Sequence, residues 1–298
     1  LEDISISYAL DLGISLLKHE ALSFEGLYNL DIQDKAFISN FKITNPRSEA
    51  ERLLAFTMGI DRILLHAKSE QILDKTHLAS FLSLITKRAQ GYPLEYIFKS
   101  ASFYGREFYV DERVLIPRSD TESLCEQALT LPFSNFVEVG TGSGIIAITL
   151  SLESKKCGLG LDISKDALDV ARLNATNLNA TNLIFKESNL LSGLDSKLNY
   201  KNALLISNPP YIANSYPLDV EVLHEPHIAL FGGEKGSEII EGLIKQASFL
   251  NFGYLAFEIG YDQEDIASKI LKTYNYSKFS FFSYAGLTRG FVAYRTWK

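Results

Sequence analysis

Val137-Glu138-Val139-Gly140-Thr141-Gly142-Ser143-Gly144 ends in three glycines at alternate positions, and an apolar stretch of helical character follows from Ile145. A strand ending here must turn sharply into a helix, and glycine tolerates the positive φ that such turns demand. The unpaired N–H groups of the helix start then face whatever the loop encloses. A second strand, CGLGLD over residues 157–162, ends in an acid, Asp162, eighteen residues past Gly144. Strands and helical stretches keep alternating: a helix from Ser164, NLIF (182–185), ALLIS (203–207), a helix near 237–250, YLAFEI (254–259), a helix near 262–273, and closing strands near 277–283 and 290–296. That order predicts an α/β fold, a mostly parallel sheet covered by helices on both faces. Ligands of such sheets sit beyond the carboxyl ends of the strands, where the glycines and Asp162 fall.

Upstream the pattern differs. To about residue 88 the apolar residues recur at helical spacing, as in Ala50, Leu53 and Leu54, then Leu78, Leu82 and Ile85. Asn45 before Pro46 predicts a helix start, because the Asn side chain caps free N–H groups and proline at the first helical position forfeits no hydrogen bond. That helix should run to about Gly59. Gly91 and Pro93 break the helical run, and FYGREFYV (103–110) predicts a hairpin turning at Gly105. The expected organisation is a helical domain over 1–88, a linker with the hairpin over 89–118, and the α/β domain over 119–298.

The chain has 298 residues, 46% hydrophobic and 22% charged, a balance that fits neither a disordered chain nor a membrane bundle. Its 29 basic and 36 acidic residues give a net charge of −7, so the overall field does not draw it to nucleic acid. Cys125 and Cys157 lack metal-site spacing and read as reduced core thiols in a helix and a strand. Residues 1–20 carry acids at Glu2, Asp3 and Asp11 and read as a helix rather than an export leader. No apolar run reaches membrane-spanning length, and the expected compartment is the cytoplasm.

A glycine turn followed by an acid serves two kinds of nucleoside cofactor, since a carboxylate at Asp162 can take both hydroxyls of a ribose in either. The dinucleotide pattern G-x-G-x-x-G, counted from Gly140, needs glycine where this chain has Ile145. An acid followed by G-x-G-x-G is instead similar to the loop for S-adenosylmethionine, which has no pyrophosphate to cradle. Glu138 can then serve the methionine ammonium, directly or through water. A dinucleotide loop and a plain tight turn remain the competing readings of this stretch.

Ser207-Asn208-Pro209-Pro210-Tyr211 follows the apolar run ALLI and so lies on the same rim. Alone it reads as a rigid turn that stops a strand; in the fourth-strand position of this sheet it predicts chemistry. An amide or aryl-amine nitrogen is a poor nucleophile because its lone pair is delocalised. The Asn208 side-chain oxygen and the Pro209 carbonyl are two acceptors for both N–H bonds of a planar NH2, aiming its lone pair at a sulfonium methyl. Prolines fix φ and remove N–H groups, and Tyr211 offers a ring to a flat substrate group. Asn208, Pro209 and Tyr211 are therefore the expected catalytic residues, and the scheme needs no metal.

EAERLLAFTMGIDR (49–62), GYPLEYI (91–97), VLIPRSDTE (114–122), EVGTGSG (138–144), LDISKDALDVARLNA (161–175), SNPPYI (207–212), EPHIALFGGEKG (225–236), FEIGYDQ (257–263) and AGLTRGFVAYR (285–295) stand in this order along the chain. In that series the sequence resembles, nearly end to end, the HemK/PrmC family of protein-(glutamine) methyltransferases. The resemblance implies a Rossmann-like methyltransferase domain with a seven-stranded, mostly parallel sheet, behind a small helical N-terminal domain. It implies S-adenosylmethionine as methyl donor. The implied acceptor is the side-chain amide of the glutamine in the Gly-Gly-Gln loop of class-1 peptide-chain release factors, a role in translation termination. The helical domain would help to recognise the release factor, and a monomer without nucleic-acid or membrane partners is expected.

By the same resemblance, Gly140, Thr141, Gly142, Ser143 and Gly144 would hold the methionine portion, Asp162 the ribose, and Asn189 and Leu190 the adenine side. Asn208, Pro209, Pro210 and Tyr211 would hold the glutamine, with Asn208 also near the cofactor. The chain departs from the family pattern in Glu138 for the usual Asp, Asn189 for an acid, Leu190 for a larger aromatic, and Ser283 for an Asp before the closing glycine. Three alternatives stay open: a glutamine of a ribosomal protein as acceptor, an adenine amine of nucleic acid, and a binding module without catalysis. The second calls for a basic groove, which the net charge does not suggest; the third has no need of Asn-Pro-Pro-Tyr.

Arg118 and Glu122 are candidates for ordering a cofactor lid or for plain surface pairing, and Glu258 for its place at a strand end on the ligand rim. Asp262, Glu264 and Asp265 read as charges that complement a helix dipole. His224-Glu225-Pro226-His227 is no metal motif, since Pro226 prevents the helical i, i+4 arrangement of a zinc site.

Overall fold

The computed structural model describes residues 4–18 and 41–297, in two compact units that divide between Phe98 and Lys99. Within the region expected to be helical, residues 1–3 and 19–40 lie outside the described residues. The first unit carries α1 (Ile6–Leu17), α2 (Pro46–Met58), α3 (Ile63–Ala67), α4 (Lys75–Ala89) and α5 (Leu94–Phe98). α2 begins as its sequence predicts: Asn45 Oδ1 accepts from Ser48 N at 3.1 Å, and Gly59 closes the helix in the left-handed conformation. Leu53, Leu54, Phe81 and Ile85 are fully buried and form one core with Ile6 and Leu17 of α1. Each such side chain contributes roughly 1.5–3 kcal/mol by leaving water.

The second unit opens with the hairpin of β1 (Ala101–Phe103) and β2 (Arg106–Phe108). Tyr104 and Gly105 take φ of 50° and 71°, the left-handed pair that a two-residue turn between twisted strands favours. The expected linker hairpin is thus grouped with the α/β unit. There follow α6 (Asp120–Leu129), β3 (Asn135–Val139), α7 (Ile145–Ser154), β4 (Gly158–Asp162), α8 (Lys165–Asn177), β5 (Leu183–Glu187) and β6 (Ala203–Ser207). Then come β7 (Ile212–Ala213), α9 (His227–Leu230), β8 (Phe231–Gly233), α10 (Glu238–Leu250), β9 (Tyr254–Glu258), α11 (Glu264–Thr273), β10 (Lys278–Tyr284) and β11 (Leu287–Tyr294).

Seven strands make one sheet in the order β10-β11-β9-β6-β3-β4-β5. β5, β4, β3, β6 and β9 run parallel, and β11 lies antiparallel between β9 and β10. This is the seven-stranded, mostly parallel Rossmann-like sheet that the resemblance implies. The chain winds outward from β3 to β5, then crosses to β6 on the other side, so the order reverses between β3 and β6. A crevice opens at such a switch point. β6 is buried along its whole length, as a central parallel strand must be. On one face Leu243, Ile244 and Leu271 pack against Val137, Leu205 and Leu255; on the other, Leu124 and Ile148 cover Phe136, Leu204 and Ala256.

Two features differ from the sequence reading. β7 and β8 form a separate parallel pair too short to leave a period-2 signal. Cys125 is buried in α6, but Cys157 is exposed, not a core thiol. β4 starts only at Gly158, over which the Phe136 ring packs, and Cys157 is left in the connection before it. Among the described residues no helix is long and apolar enough to cross a membrane.

Candidate active site

The loop between β3 and α7 has Gly140, Gly142 and Gly144 at φ of 71°, 53° and 83°. At Gly144 a side chain is excluded twice: by the backbone conformation, and by α8, since a Cβ there would sit 3.2 Å from the Ala171 Cβ. Behind the loop, Glu138 Oε2 accepts from Thr141 Oγ1 at 2.6 Å and from Ala147 N at 3.0 Å. The carboxylate thereby binds the first turn of α7, where the helix dipole favours negative charge. Burial nevertheless pushes the Glu138 carboxyl up to about 8, and its Oε1, also buried, has no hydrogen-bond partner among the described residues. Asp162 closes β4, its Oδ2 accepting from Gly142 N and its Oδ1 from Ser164 N, both at 2.9 Å. Burial raises its pKa against the pull of these bonds.

Two cavities open along this rim. One, of about 240 Å³, is lined by Gly140, Gly142, Asp162, Asn189, Leu190 and Pro210, with Ile163 and Ile239 in its apolar wall. The other, of about 290 Å³, is lined by Arg118, Tyr211, Ile212 and Tyr216. Asn208 and Pro209 line both. The remaining predicted residues stand back: Glu138, Thr141 and Ser143 are buried behind the loop, and Gly144 is packed on α8.

The Asn208–Tyr211 corner is held from behind by residues distant in sequence. Thr121 Oγ1 donates to Glu258 Oε2 at 2.7 Å, Asn208 Nδ2 donates to Thr121 Oγ1 at 3.1 Å, and the Tyr211 hydroxyl donates to Glu258 Oε1 at 3.1 Å. Gln263 Nε2 donates to the Tyr211 carbonyl at 3.0 Å, and Ser207 Oγ ties the end of β6 to the Val139 carbonyl at 2.7 Å. Burial, together with the nearby Asp120 charge, pushes the Glu258 carboxyl up to about 7, partly opposed by Thr121, Tyr211 and Arg289. Burial and the Glu258 charge raise the Tyr211 hydroxyl well above its ordinary value. The segment from β8 to α10 lies against the same corner. A Cβ on Gly232 would come within 2.4 Å of the Pro210 carbonyl oxygen, and one on Gly236 within 2.3 Å of the Tyr211 carbonyl oxygen.

Thr121, Gln263, Gly232 and Gly236 escaped the sequence reading. The glycines in EPHIALFGGEKG were the available signal, because glycine beside a strand marks close backbone approach. Arg118 is not a loose surface charge. Its guanidinium bonds to the buried Glu225, whose other oxygen accepts from Ile116 N at 2.9 Å. Glu122 accepts from Tyr104 N at 2.6 Å and so holds the hairpin turn. Ser283 is exposed at a β-bulge in β10, and nothing in the structure explains its replacement of the family's Asp. Among the described residues no group of three His, Cys, Asp or Glu is placed to hold a metal ion.

Residues 35–98 match the PrmC N-terminal domain family and residues 120–225 the methyltransferase small domain family. A release factor glutamine methyltransferase of Koribacter versatilis is 37% identical over 238 residues, which span 76% of this chain and 84% of the relative. One of Fusobacterium nucleatum is 34% identical over 284 residues, 89% of this chain and 78% of the relative. Among solved structures, a methyltransferase from Pyrococcus furiosus shares the fold with a TM-score of 0.51 at 16% identity, covering 67% of this chain and 93% of that one. Such likeness over most of the length, joined to a sheet that brings a glycine loop and an Asn-Pro-Pro-Tyr corner to one crevice, means that the chain belongs to the release factor glutamine methyltransferase family.

Proposed function

We propose that the protein transfers a methyl group from S-adenosylmethionine to the side-chain amide nitrogen of the glutamine in the Gly-Gly-Gln loop of class-1 release factors. One observation carries this reading: Asn208 and Pro209 line both cavities, so a group gripped there stands between a donor site and an acceptor site.

The residues present fit the donor. The smaller cavity joins an acid at a strand end, open glycine backbone and an apolar wall. The unpartnered Glu138 oxygen suits a cationic group brought close to the loop. Asp162 would hold the ribose, Asn189 and Leu190 the adenine side, and Gly140 to Gly144, backed by Glu138, the methionine portion. When bound, S-adenosylmethionine supplies an electrophilic methyl group on its sulfonium.

The chain's own residues then solve the problem of a weak nucleophile. Asn208 Oδ1 and the Pro209 carbonyl accept the two N–H bonds of the glutamine amide, which holds the nitrogen in line with the methyl. The consecutive prolines preset this corner. Tyr211, its hydroxyl tied to Glu258, keeps its ring beside the flat amide. Forming the C–N bond would break the methyl's bond to sulfur, with neutral S-adenosylhomocysteine as the leaving group; the alkylated nitrogen would then be strongly acidic and release one proton to solvent, so no dedicated base is needed.

The helical unit is assigned to release-factor recognition, and the protein to the cytoplasm as a monomer without nucleic-acid or membrane partners. The names of the relatives favour a release factor over a ribosomal protein, and the net charge of −7 disfavours nucleic acid. The test is incubation with labelled S-adenosylmethionine and purified release factor, ribosomal protein and DNA side by side, followed by mass mapping. Label on the Gly-Gly-Gln glutamine is expected; a release factor left unlabelled overturns the reading.

A further inference from the structure

We infer that Thr121 and Glu258 are positioning residues that decide which end of the Asn208 carboxamide faces the acceptor. The inference rests on the methyl-transfer reading and deepens it. The two ends of a carboxamide are nearly equal in size, so shape alone does not orient it; hydrogen-bond polarity does. Above about pH 7, where the buried Glu258 carboxyl has given up its proton, it only accepts, so each group that hydrogen-bonds it must donate. Thr121 has a single O–H, and it goes to Glu258 Oε2 at 2.7 Å. The Thr121 oxygen then offers only lone pairs. Only the NH2 end of Asn208 can meet them, and it does so at 3.1 Å. Oδ1 is thereby left over for the substrate amide. The reversed carboxamide would set lone pair against lone pair at Thr121, and NH2 against NH2 at the glutamine.

The other Glu258 oxygen takes the Tyr211 hydroxyl at 3.1 Å, so one buried carboxylate, 1% exposed, sets both the carboxamide and the ring. The two supports converge through topology: Thr121 lies in α6, Glu258 ends β9, and β9 lies beside β6, from which the corner springs.

Thr121→Val removes the oxygen at little change of shape, and Thr121→Ser keeps it. With a release factor and labelled S-adenosylmethionine, Thr121→Val and Glu258→Gln are expected to lower kcat by roughly 10- to 100-fold, while KM for the release factor and Kd for the cofactor stay within a few fold. Thr121→Ser should recover most of kcat. In an Asn208→Ala background Thr121→Val should cost no more, because no carboxamide remains to be oriented. A second readout needs no activity. In ¹⁵N-labelled protein without ligand, hydrogen exchange of the Asn208 side-chain NH2 should be slowed, and the slowing should vanish in Thr121→Val and persist in Thr121→Ser. A Thr121→Val loss that adds fully to Asn208→Ala, or NH2 exchange indifferent to Thr121→Val, overturns the assignment. A wild-type protein that leaves the release-factor glutamine unlabelled overturns the functional reading instead, and NH2 exchange still decides the orientation.

Discussion

The glycine loop after β3 and the proline corner after β6 share a rim, yet the glutamate buried behind each is held differently. Glu138 binds groups three and nine residues away, whereas Asn208 and Tyr211 are held by Thr121, Glu258 and Gln263, separated from them by 87, 47 and 52 residues. Each region buries one glutamate. Both Glu258 oxygens are engaged, and one Glu138 oxygen has no partner among the described residues. A glutamate held by its sequence neighbours can keep an acceptor in reserve for a ligand. A corner held by the whole sheet is finished before any ligand arrives, which is the preorganisation that transition-state contacts require.

The comparison breaks if the two regions fail to divide binding from turnover. The largest effect is expected for Asn208→Ala: turnover falls about 10²- to 10³-fold, the scale for one lost preorganised contact, and calorimetry finds S-adenosylmethionine affinity within a few fold. Unchanged turnover would detach the corner from the chemistry. Asp162→Ala should show the mirror image. A lost charge-assisted hydrogen bond costs roughly 1.5–3 kcal/mol, so cofactor affinity falls by about 10- to 100-fold while kcat at saturation changes less; equal affinities would remove Asp162 from the ribose.

A pair of glycines sharpens the contrast. Gly144→Ala, crowded by α8, should weaken cofactor binding. Gly236→Ala, whose Cβ would press on the Tyr211 carbonyl, should lower turnover at near-normal cofactor affinity. Each is expected to cost about 1–3 kcal/mol in urea denaturation, the range for overpacking; one profile for both variants would erase the division.

The last effect is a slope. In the folded protein the Glu138 carboxyl is raised from 4.5 to about 8 and the Glu258 carboxyl to about 7. Between the ordinary and the raised values the native state holds protons that the unfolded chain has released, so stability without ligand falls as pH rises through that window. Urea midpoints measured from about pH 5 to 8 should decline for the wild type. They should decline less for Glu258→Gln, and least for Glu138→Gln.

The same contrast explains what could be read from the chain. The glycine loop, Asp162, the cap of α2 and the turn at Gly105 each carry their signal in their own residues or the strand they end, so these could be read from the sequence. Asn-Pro-Pro-Tyr was equally visible, but its supports were not. Alternation of strands and helices fixes neither that β9 enters beside β6 nor that α6 brings Thr121 beneath Asn208. The pairing of Arg118 with Glu225 across the fold, and of β7 with β8, were hidden for the same reason. The inward turn of Glu138 was obscured differently: a strand-end acid can face a ligand or the next helix start, and α7 claims one of its oxygens.

β9 lies in the interior of the sheet, between β6 and β11. A chain emerging from its amino terminus therefore displays Asn208 fifty residues before it has made Glu258. Until that strand is made, the Thr121 hydroxyl lacks the carboxylate that fixes its hydrogen, and with it the sense of the Asn208 carboxamide. A chain ending ahead of β9 lacks the carboxylate to which Thr121 and Tyr211 donate, so the support of the corner is complete only once β9 holds its place in the sheet.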